Sequence, residues 1–349
     1  MKKFITILII VAVIIGGYFL LNKKQESQTN QPIKVGVILP LTGDLAVVGE
    51  ELKRGVDLAI DKLRSKNINI LAVYEDDKFD PRESATAANK LINVDKVDFA
   101  MIFSVEEARP IVSIFNNNKI PLVATWDSNQ FLRDSGFYIF SNGFSTERAG
   151  ETMADFAYNE LKMRNVAVLA HVDAWAEIIS KSFKDRFVKN GGKIVYDDTV
   201  QIGTNDFRLH ISKIKNTKPD GVYFPIIPFD SVSFIKQAKE NGLNVKLMTG
   251  DALIQDVIDA TGQASEGAYF TNGYGENADL PNLYETKYER KPGSIIYVAA
   301  GFDTMDKIGK YLPSQNIKET FDKMFGPTRS ADRTEKLYQI KNGVPVEIK

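Results

Sequence analysis

"KVGVILPLTGDLAVVGEELKRGVDLAIDKL", residues 34–63, is the stretch that decides the fold. It opens with a run of Val, Ile and Leu typical of a buried strand, and this run ends at Pro40. A short loop around Gly43 follows, and apolar residues then recur at helical spacing from near Gly49. The pattern predicts a strand, a tight loop and an amphipathic helix.

The same alternation of strand and helix continues along most of the chain. Nine further apolar runs predict strands at 69–75, 98–103, 120–125, 137–141, 165–171, 193–200, 221–226, 245–249 and 267–271. Continuous apolar strands that alternate with amphipathic helices indicate parallel sheets with both faces covered. Ten strands are too many for one comfortable sheet, so we predict an α/β fold of two doubly wound, Rossmann-like lobes. Such sheets bind ligands at the carboxyl ends of their strands.

The composition excludes several classes of function. The chain has 349 residues, a net charge of -1, no cysteine and only two histidines. Disulfides, thiolate metal sites, a cysteine nucleophile and a lipid-modified cysteine are therefore excluded, and a polyanionic partner such as nucleic acid is not favoured. G-x-G-x-x-G, G-x-x-x-x-G-K-[ST] and G-x-S-x-G are all absent. We therefore expect no enzyme activity, no cofactor and no metal.

The N-terminal segment has the features of a membrane anchor. Eighteen uncharged residues, Phe4 to Leu21, lie between lysines. As a helix they would extend about 27 Å, enough to span the hydrocarbon of a bilayer. We predict an uncleaved anchor over residues 1–24 and a polar tether over 25–32, with cleavage near Gly16-Gly17 as the alternative. The domain that follows is then expected on the extracytoplasmic face of the membrane, or secreted if the segment is cleaved.

Five stretches occur in a familiar order. They read "IKVGVILPLTG", "VYEDDKFDPRESATAANKLI", "DFRLHISKIKNTKPDGVYF", "FIKQAKENGL" and "SEGAYFTNGY". Together they resemble the type I periplasmic binding proteins, specifically the branched-chain amino-acid (Leu/Ile/Val) binding branch that serves ABC transporters. The resemblance covers residues 33–349. It implies two lobes joined by a hinge of three strands, with lobe one at 33–142 and 273–325 and lobe two at 143–272 and 335–349.

The resemblance also implies ligand-binding residues on lobe one. Relatives bind an amino acid's carboxylate through hydroxyls and backbone amides of two loops, at 102–110 and 124–129 here. The candidates on this lobe are Val48, Ser104, Val105, Trp126, Asp127, Ser128 and Tyr297. Ser104 and Glu107 also fit a capping box, which needs no ligand, and Tyr297 fits packing at a helix start equally well. Asp127 departs from the family pattern, in which this loop carries small residues and a hydroxyl. A buried acid at this position would oppose an anionic ligand.

Lobe two is expected to supply the remaining contacts. Trp175 lies where relatives present an aromatic side chain, Ile227 lies in another contact loop, and Asp251 lies where relatives present an acid to the α-ammonium group. Asp251 also fits a plain helix N-cap. Since the only two tryptophans fall on opposing loops, we predict aromatic walls around a cationic or zwitterionic head.

We therefore expect an extracytoplasmic substrate-binding protein of an ABC importer. It would bind a small amino acid or a related amine-bearing solute between its lobes by hinge closure. The expected partners are a permease or receptor and, through the N-terminal helix, the membrane. The alternative is a ligand-sensing ectodomain that signals to a membrane partner without transport.

Overall fold

The computed structural model describes residues 31–273, 277–312, 316–331 and 333–348. The predicted anchor lies outside these residues, as does most of the predicted tether. The strands are β1 (Ile33–Leu39), β2 (Ile70–Asp76), β3 (Phe99–Ile102), β4 (Leu122–Ala124), β5 (Asp127–Ser128), β6 (Ile139–Ser141), β7 (Phe144–Ser145), β8 (Asn165–His171), β9 (Lys193–Val200), β10 (Gly221–Tyr223), β11 (Lys246–Thr249), β12 (Tyr269–Asn272), β13 (Lys336–Lys341) and β14 (Val344–Glu347).

Helices connect most of these strands. The α-helices are α1 (Ala46–Arg64), α2 (Pro81–Lys90), α3 (Val105–Ala108), α4 (Val112–Asn118), α5 (Gln130–Asp134), α6 (Thr146–Asn159), α7 (Ala174–Lys189), α8 (Arg208–Asn216), α9 (Pro228–Glu240), α10 (Gln255–Thr261), α11 (Leu280–Tyr288), α12 (Ile295–Tyr311) and α13 (Ile317–Phe325). Within the described part of the chain, no helix is both long enough and apolar enough to pass through a bilayer.

Two large sheets organise the molecule. The first sheet has the strand order β2-β1-β3-β4-β6, and its β1–β3, β3–β4 and β4–β6 pairs are parallel. The second sheet has the order β14-β13-β12-β11-β10-β8-β9, parallel from β12 to β9 and antiparallel at the C-terminal hairpin. In each sheet the chain adds strands first on one side and then on the other side of its first strand. This is the doubly wound arrangement. All ten strands predicted from the sequence are present.

The two sheets are joined by chain segments that run side by side. The segment from the end of β6 to the start of β7 pairs with the segment before β13, through parallel bridges between Ser141 and Ser330 and between Phe144 and Arg333. The short strands β5 and β7 pair beside them. Neither short strand was among the sequence predictions, because two residues are too few to show a periodic pattern.

The first sheet is covered by helices from distant parts of the sequence. Helix α12 packs against helix α1 at two glycines. A Cβ atom at Gly55 would lie 2.0 Å from the Val298 carbonyl oxygen, and one at Gly301 would lie 2.2 Å from the Leu52 carbonyl oxygen. Only glycine permits this approach of the two backbones. The contact brings Tyr297 and the loop before α1 to the same end of the first sheet.

The opening strand–loop–helix forms with one shift in its boundary. Helix α1 begins at Ala46, one turn before the predicted start near Gly49, because Val48 extends the buried face toward the N-terminus. The Asp76 carboxylate, at the end of the neighbouring strand, accepts hydrogen bonds from the backbone N–H groups of Leu41 and Thr42 at 2.9 and 3.2 Å. These bonds hold the loop in place above the sheet.

Candidate functional site

A cavity of about 40 Å³ lies between the carboxyl ends of the two sheets. First-sheet loops and their helices supply one side, and the loops after β8, β10 and β11 supply the other. The lining residues are Leu45, Val48, Phe79, Phe103, Ser104, Trp126, Asp173, Trp175, Ile227, Pro228, Asp251, Ala252 and Tyr297. Parallel strands place these loops at one edge of each sheet, so the cavity lies where doubly wound folds bind ligands.

Aromatic rings form the first-sheet side of the cavity. The ring centroids of Trp126 and Tyr297 are 4.6 Å apart, and those of Trp126 and Phe103 are 5.7 Å apart. Phe103 lies 6.2 Å from Tyr297 in an edge-to-face contact. Each ring therefore supports another at a favourable aromatic distance. Trp175 forms part of the opposite side, so the two tryptophans face one cavity from different sheets.

Two buried carboxylates complete the second-sheet side. Asp251 is 4% exposed and Asp173 is 9% exposed. Burial raises the pKa of Asp251 to about 7, although its own backbone N–H and the side chain of Trp126 favour the ionised form. Burial likewise raises the pKa of Asp173 to about 6. Among the described residues, the Oδ2 atoms of both side chains have no hydrogen-bond partner.

Direct contacts cross from one sheet to the other beside the cavity. The Glu106 carboxylate accepts a hydrogen bond from the backbone N–H of Ala174, the first residue of helix α7, at 2.6 Å. Arg109 and Glu177 form a more exposed ion pair at 3.4 Å. Both contacts join helix α3 and its C-cap residue to helix α7. The two sides of the cavity therefore touch each other in this structure.

Seven of the ten residues predicted from the sequence line this cavity. They are Val48, Ser104, Trp126, Trp175, Ile227, Asp251 and Tyr297. Their role in binding stays a prediction, but they come from seven separate places in the sequence and meet in one enclosed space. The alternative for Asp251, a helix N-cap, is wrong because helix α10 begins four residues later at Gln255.

Val105, Asp127 and Ser128 are not among the cavity-lining residues. All three are buried behind the lining. The Asp127 Oδ1 atom accepts a hydrogen bond from the Val105 backbone N–H at 3.1 Å, and burial raises the pKa of Asp127 to about 8. The Ser128 hydroxyl bonds with the hydroxyls of Ser330 and Ser141 at 2.8 and 2.9 Å. Their contacts are thus with the protein itself.

The capping interpretation of Ser104 is confirmed. The Glu107 carboxylate accepts hydrogen bonds from both the backbone N–H and the hydroxyl of Ser104, at 2.8 and 2.7 Å. Glu107 is fully buried, and burial and the nearby Asp77 raise its pKa well above the usual range. Ser104 therefore lines the cavity, but its hydroxyl already donates its proton to Glu107 and does not donate to a ligand.

The sequence did not predict several lining residues. Phe79 follows the acidic run that ends β2, where it has a φ of 61°. Phe103 directly precedes Ser104, and Asp173 lies two residues before Trp175. Asp173 is the N-cap of helix α7, with Oδ1 accepting the Ala176 N–H at 2.8 Å. An aspartate directly before a helical pattern is typical of such a cap, but the sequence does not show that the Asp173 Oδ2 atom lies at a cavity.

The acidic run at the end of β2 is explained by local structure. Asp76 holds the loop after β1, and Asp80 is the N-cap of helix α2, accepting the Arg82 N–H at 2.7 Å. Helix α2 therefore begins at Pro81, directly after this cap. Across the described residues, no group of three or more His, Cys, Asp and Glu side chains is arranged to hold a metal ion.

Two doubly wound sheets with a cavity between their carboxyl ends form the arrangement of a type I periplasmic binding protein. The family model described as "Periplasmic binding protein" matches residues 32–309, and the chain belongs to this family. Its members are solute-binding proteins of transporters, which work outside the cytoplasm, so the chain is not an enzyme.

Named relatives agree with this assignment. The Leu/Ile/Val-binding protein homolog 3 of Brucella melitensis is 26% identical over 247 residues, 69% of this chain and 67% of that protein. The leucine-specific-binding protein of Salmonella typhimurium is 24% identical over 309 residues, 86% of this chain and 79% of that protein. These relatives place the chain in the branched-chain amino-acid branch of the family, as the sequence predicted.

Solved structures share the fold. A leucine-binding protein from Thermotoga maritima has a TM-score of 0.80 at 22% identity and covers 91% of this chain and 98% of its own. A solute-binding protein of an ABC transporter from R. palustris, in complex with benzoate, has a TM-score of 0.80 at 23% identity. The match covers 91% of this chain and 96% of that protein. The type I periplasmic binding protein fold predicted from the sequence is confirmed.

Proposed function

We propose that this protein is the extracytoplasmic binding component of an ABC importer and that it captures a small amine-bearing solute, an amino acid or a related compound. Lobe one would comprise residues 33–142 and 273–325, and lobe two residues 143–272 and 335–349. Each lobe would then contain one sheet and one side of the cavity. A permease in the membrane would receive the solute from the closed form.

The observation that carries the proposal is the free acceptor atom of Asp251 in the aromatic cavity. Its Oδ2 atom is buried and has no hydrogen-bond partner among the described residues. A carboxylate in that position is stabilised by an ammonium group, through a charge-assisted hydrogen bond. Trp126 and Trp175 add aromatic faces that attract a cation by about 0.5–2 kcal/mol. Leucine, which the names of three of the relatives include, also carries an ammonium group.

The position of the cross-sheet contacts supports hinge closure. Glu106 and Arg109 meet helix α7 at the edge of the cavity, and separating the sheets would break both contacts and open the site. Closure over a solute is an established way for two lobes to enclose a ligand. The apolar segment Phe4–Leu21 would hold the protein at the membrane beside its permease.

A thermal-shift screen tests this function. The purified protein is mixed with amino acids, amino amides, simple amines and carboxylic acids. A ligand at one hundred times its Kd stabilises the folded state by about 2.7 kcal/mol, which raises the Tm by several degrees. Stabilisation by an amine-bearing solute supports the proposal. A screen in which only amine-free acids stabilise the protein contradicts it.

Paired variants show whether the cavity is the site. Asp251→Asn removes the charge without changing the shape, and we expect affinity to fall by about 10- to 100-fold, the range for hydrogen bonds to charged groups. Asp256→Asn is the matched control, because Asp256 lies five residues further on and is not among the cavity-lining residues. Equal affinities in the two variants would show that the solute binds elsewhere.

A further inference from the structure

Three hydrogen-bond donors of the first-sheet loops beside the cavity are already in use. The Val105 backbone N–H donates to the Asp127 carboxylate, and both the N–H and the hydroxyl of Ser104 donate to the Glu107 carboxylate. Asp127 and Glu107 are fully buried, so neither acid exchanges these donors for water. A ligand carboxylate that entered from this side would find these three donors occupied.

Two backbone donors on the opposite side are in use as well. At the start of helix α7, the Ala174 N–H donates to Glu106 and the Ala176 N–H donates to Asp173. These two carboxylates neutralise the helix N-terminus, the feature that would otherwise attract an anion. Among the described residues that line the cavity, none is a lysine, an arginine or a histidine. An anionic group therefore has no positive partner there.

The unused polar atoms are mainly acceptors. The Oδ2 atoms of Asp251 and Asp173 lack partners among the described residues, and both belong to side chains that are at least nine-tenths buried. One donor, the Nε1–H of Trp175, is also without a partner in the described part of the chain. Two carboxylate oxygens, one indole N–H and several aromatic faces suit a cation that carries at most a neutral oxygen atom.

We propose that the cavity selects a small organic ammonium ion that has no carboxylate, because the protein's own Asp127 occupies the donor that a ligand carboxylate would need. The inference rests on the proposed function and narrows its ligand class from amino acids and amines to amines, amino alcohols and amino amides. The cavity volume of about 40 Å³ limits the ligand further. A cavity of this size favours a ligand with few non-hydrogen atoms.

Matched ligands that differ in one group test the selection. Glycine is compared with glycinamide, alanine with alaninamide, and ethylamine with propionate, by calorimetric titration of the full chain at pH 7.5. Each amide keeps the ammonium group and the size of its amino acid but lacks the negative charge. We expect each amide to bind at least tenfold tighter than its acid, and ethylamine to bind where propionate does not.

Two variants at one position link the selection to Asp127. Asp127→Ala removes the acceptor and frees the Val105 N–H, so the preference for the amide over the acid should shrink at least threefold. Asp127→Asn keeps an acceptor on the Val105 N–H and should retain most of the preference. The preference is the ratio of the affinity for the amide to the affinity for the acid in the same variant. A mutation that weakens both affinities equally therefore leaves this ratio unchanged. If Asp127→Ala does not fold, the comparison of amides with acids in the unaltered protein still tests the selection.

The outcomes distinguish a failure of this inference from a failure of the proposed function on which it rests. Amino acids that bind as tightly as their amides, or tighter, overturn the selection and leave the amine-binding function intact. Propionate that binds while every amine fails overturns both. If neither acids nor amines bind at millimolar concentration, both proposals are wrong. An amide preference that Asp127→Ala leaves unchanged shows that Asp127 is not its cause.

Discussion

The carboxylate of Glu106 caps the N-terminus of helix α7 by accepting the Ala174 N–H at 2.6 Å. Glu106 belongs to the first-sheet side of the cavity, and Ala174 belongs to the second. The bond places a negative charge at the positive end of a sixteen-residue helix. It exists only when the two sides are in contact, so it favours the closed form over the open one.

Glu106→Ala should therefore weaken ligand binding by making closure less favourable. Loss of a helix cap costs about 0.5–2 kcal/mol, which corresponds to an affinity about 2- to 30-fold lower. Calorimetric titration gives the affinity, and small-angle scattering gives the fraction of open molecules. Arg109→Ala is the control, since the Arg109–Glu177 pair is exposed and should contribute little. A larger effect from Arg109→Ala would contradict this account of closure.

The stability of the ligand-free protein should fall as the pH rises from 5 to 8. Burial raises the pKa of Asp127 to about 8 and that of Asp251 to about 7, so the folded state binds these protons more tightly than the unfolded state does. Their contribution is present at low pH and is lost as the pH passes through those values. We expect a decrease in the free energy of unfolding on the order of several kcal/mol.

Denaturant titrations at pH 5, 6, 7 and 8 measure this decrease. Asp127→Asn should flatten the profile, because the neutral amide has no proton to lose in this range. Asp198→Asn should leave the slope unchanged, since hydrogen bonds hold the pKa of Asp198 below its usual value and it titrates at lower pH. Stability that rises between pH 5 and 8 would show that the buried acids do not control it.

Binding of an ammonium ligand should release a proton near neutral pH. The cation favours ionised Asp251 and lowers its pKa from about 7. Affinity should therefore rise as the pH increases toward 7 and level off above it. The acidic and phenolic groups around Asp251 are Asp127, Asp173, Tyr223 and Tyr297, and burial raises the pKa of all four.

Calorimetry in two buffers with different ionisation enthalpies counts the protons that are released. The count should be between zero and one at pH 7 and should fall in Asp251→Asn. Proton uptake instead of release would contradict a cation at Asp251.

The contact between helices α1 and α12 should not tolerate a methyl group. In Gly301→Ala the new Cβ would lie 2.2 Å from the Leu52 carbonyl oxygen, so the two helices must move apart. Overpacking of this kind costs about 1–3 kcal/mol. Denaturant midpoints measure the cost, and Val47→Ala, at an exposed position of helix α1, should change stability by less than about 0.5 kcal/mol. An equally stable Gly301→Ala protein would show that the helices are less closely packed.

The sequence was sufficient for the fold because its signals are local and repeated. The apolar run of β1 and the helical spacing after Val48 recur, in variant form, at each later strand and helix. The strand ends indicate which edge of each sheet binds a ligand. The resemblance to the periplasmic binding proteins then identified Trp126, Trp175 and Asp251 as candidate cleft residues before their positions were known. Their meeting in one cavity follows from parallel strand order.

The polar details of the site could not be predicted in this way. Whether Asp127 faces a ligand or the Val105 N–H depends on a side-chain rotation that no pattern in the sequence encodes. Asp251 follows a strand that ends at Thr249, but the four residues before helix α10 have no periodicity to place it. Phe79 has a positive φ, which is uncommon for an aromatic residue and leaves no sequence signal.

Tryptophan fluorescence tests the central claim most directly, because the chain's only two tryptophans line the cavity from opposite sides. The measurement is a titration with glycinamide and ethylamine, followed through the emission maximum and through acrylamide quenching. We predict that a ligand which raises the Tm also shifts the emission and protects both tryptophans from acrylamide, with the same Kd by each readout. A ligand that raises the Tm while emission and quenching stay unchanged would contradict a binding site between Trp126 and Trp175.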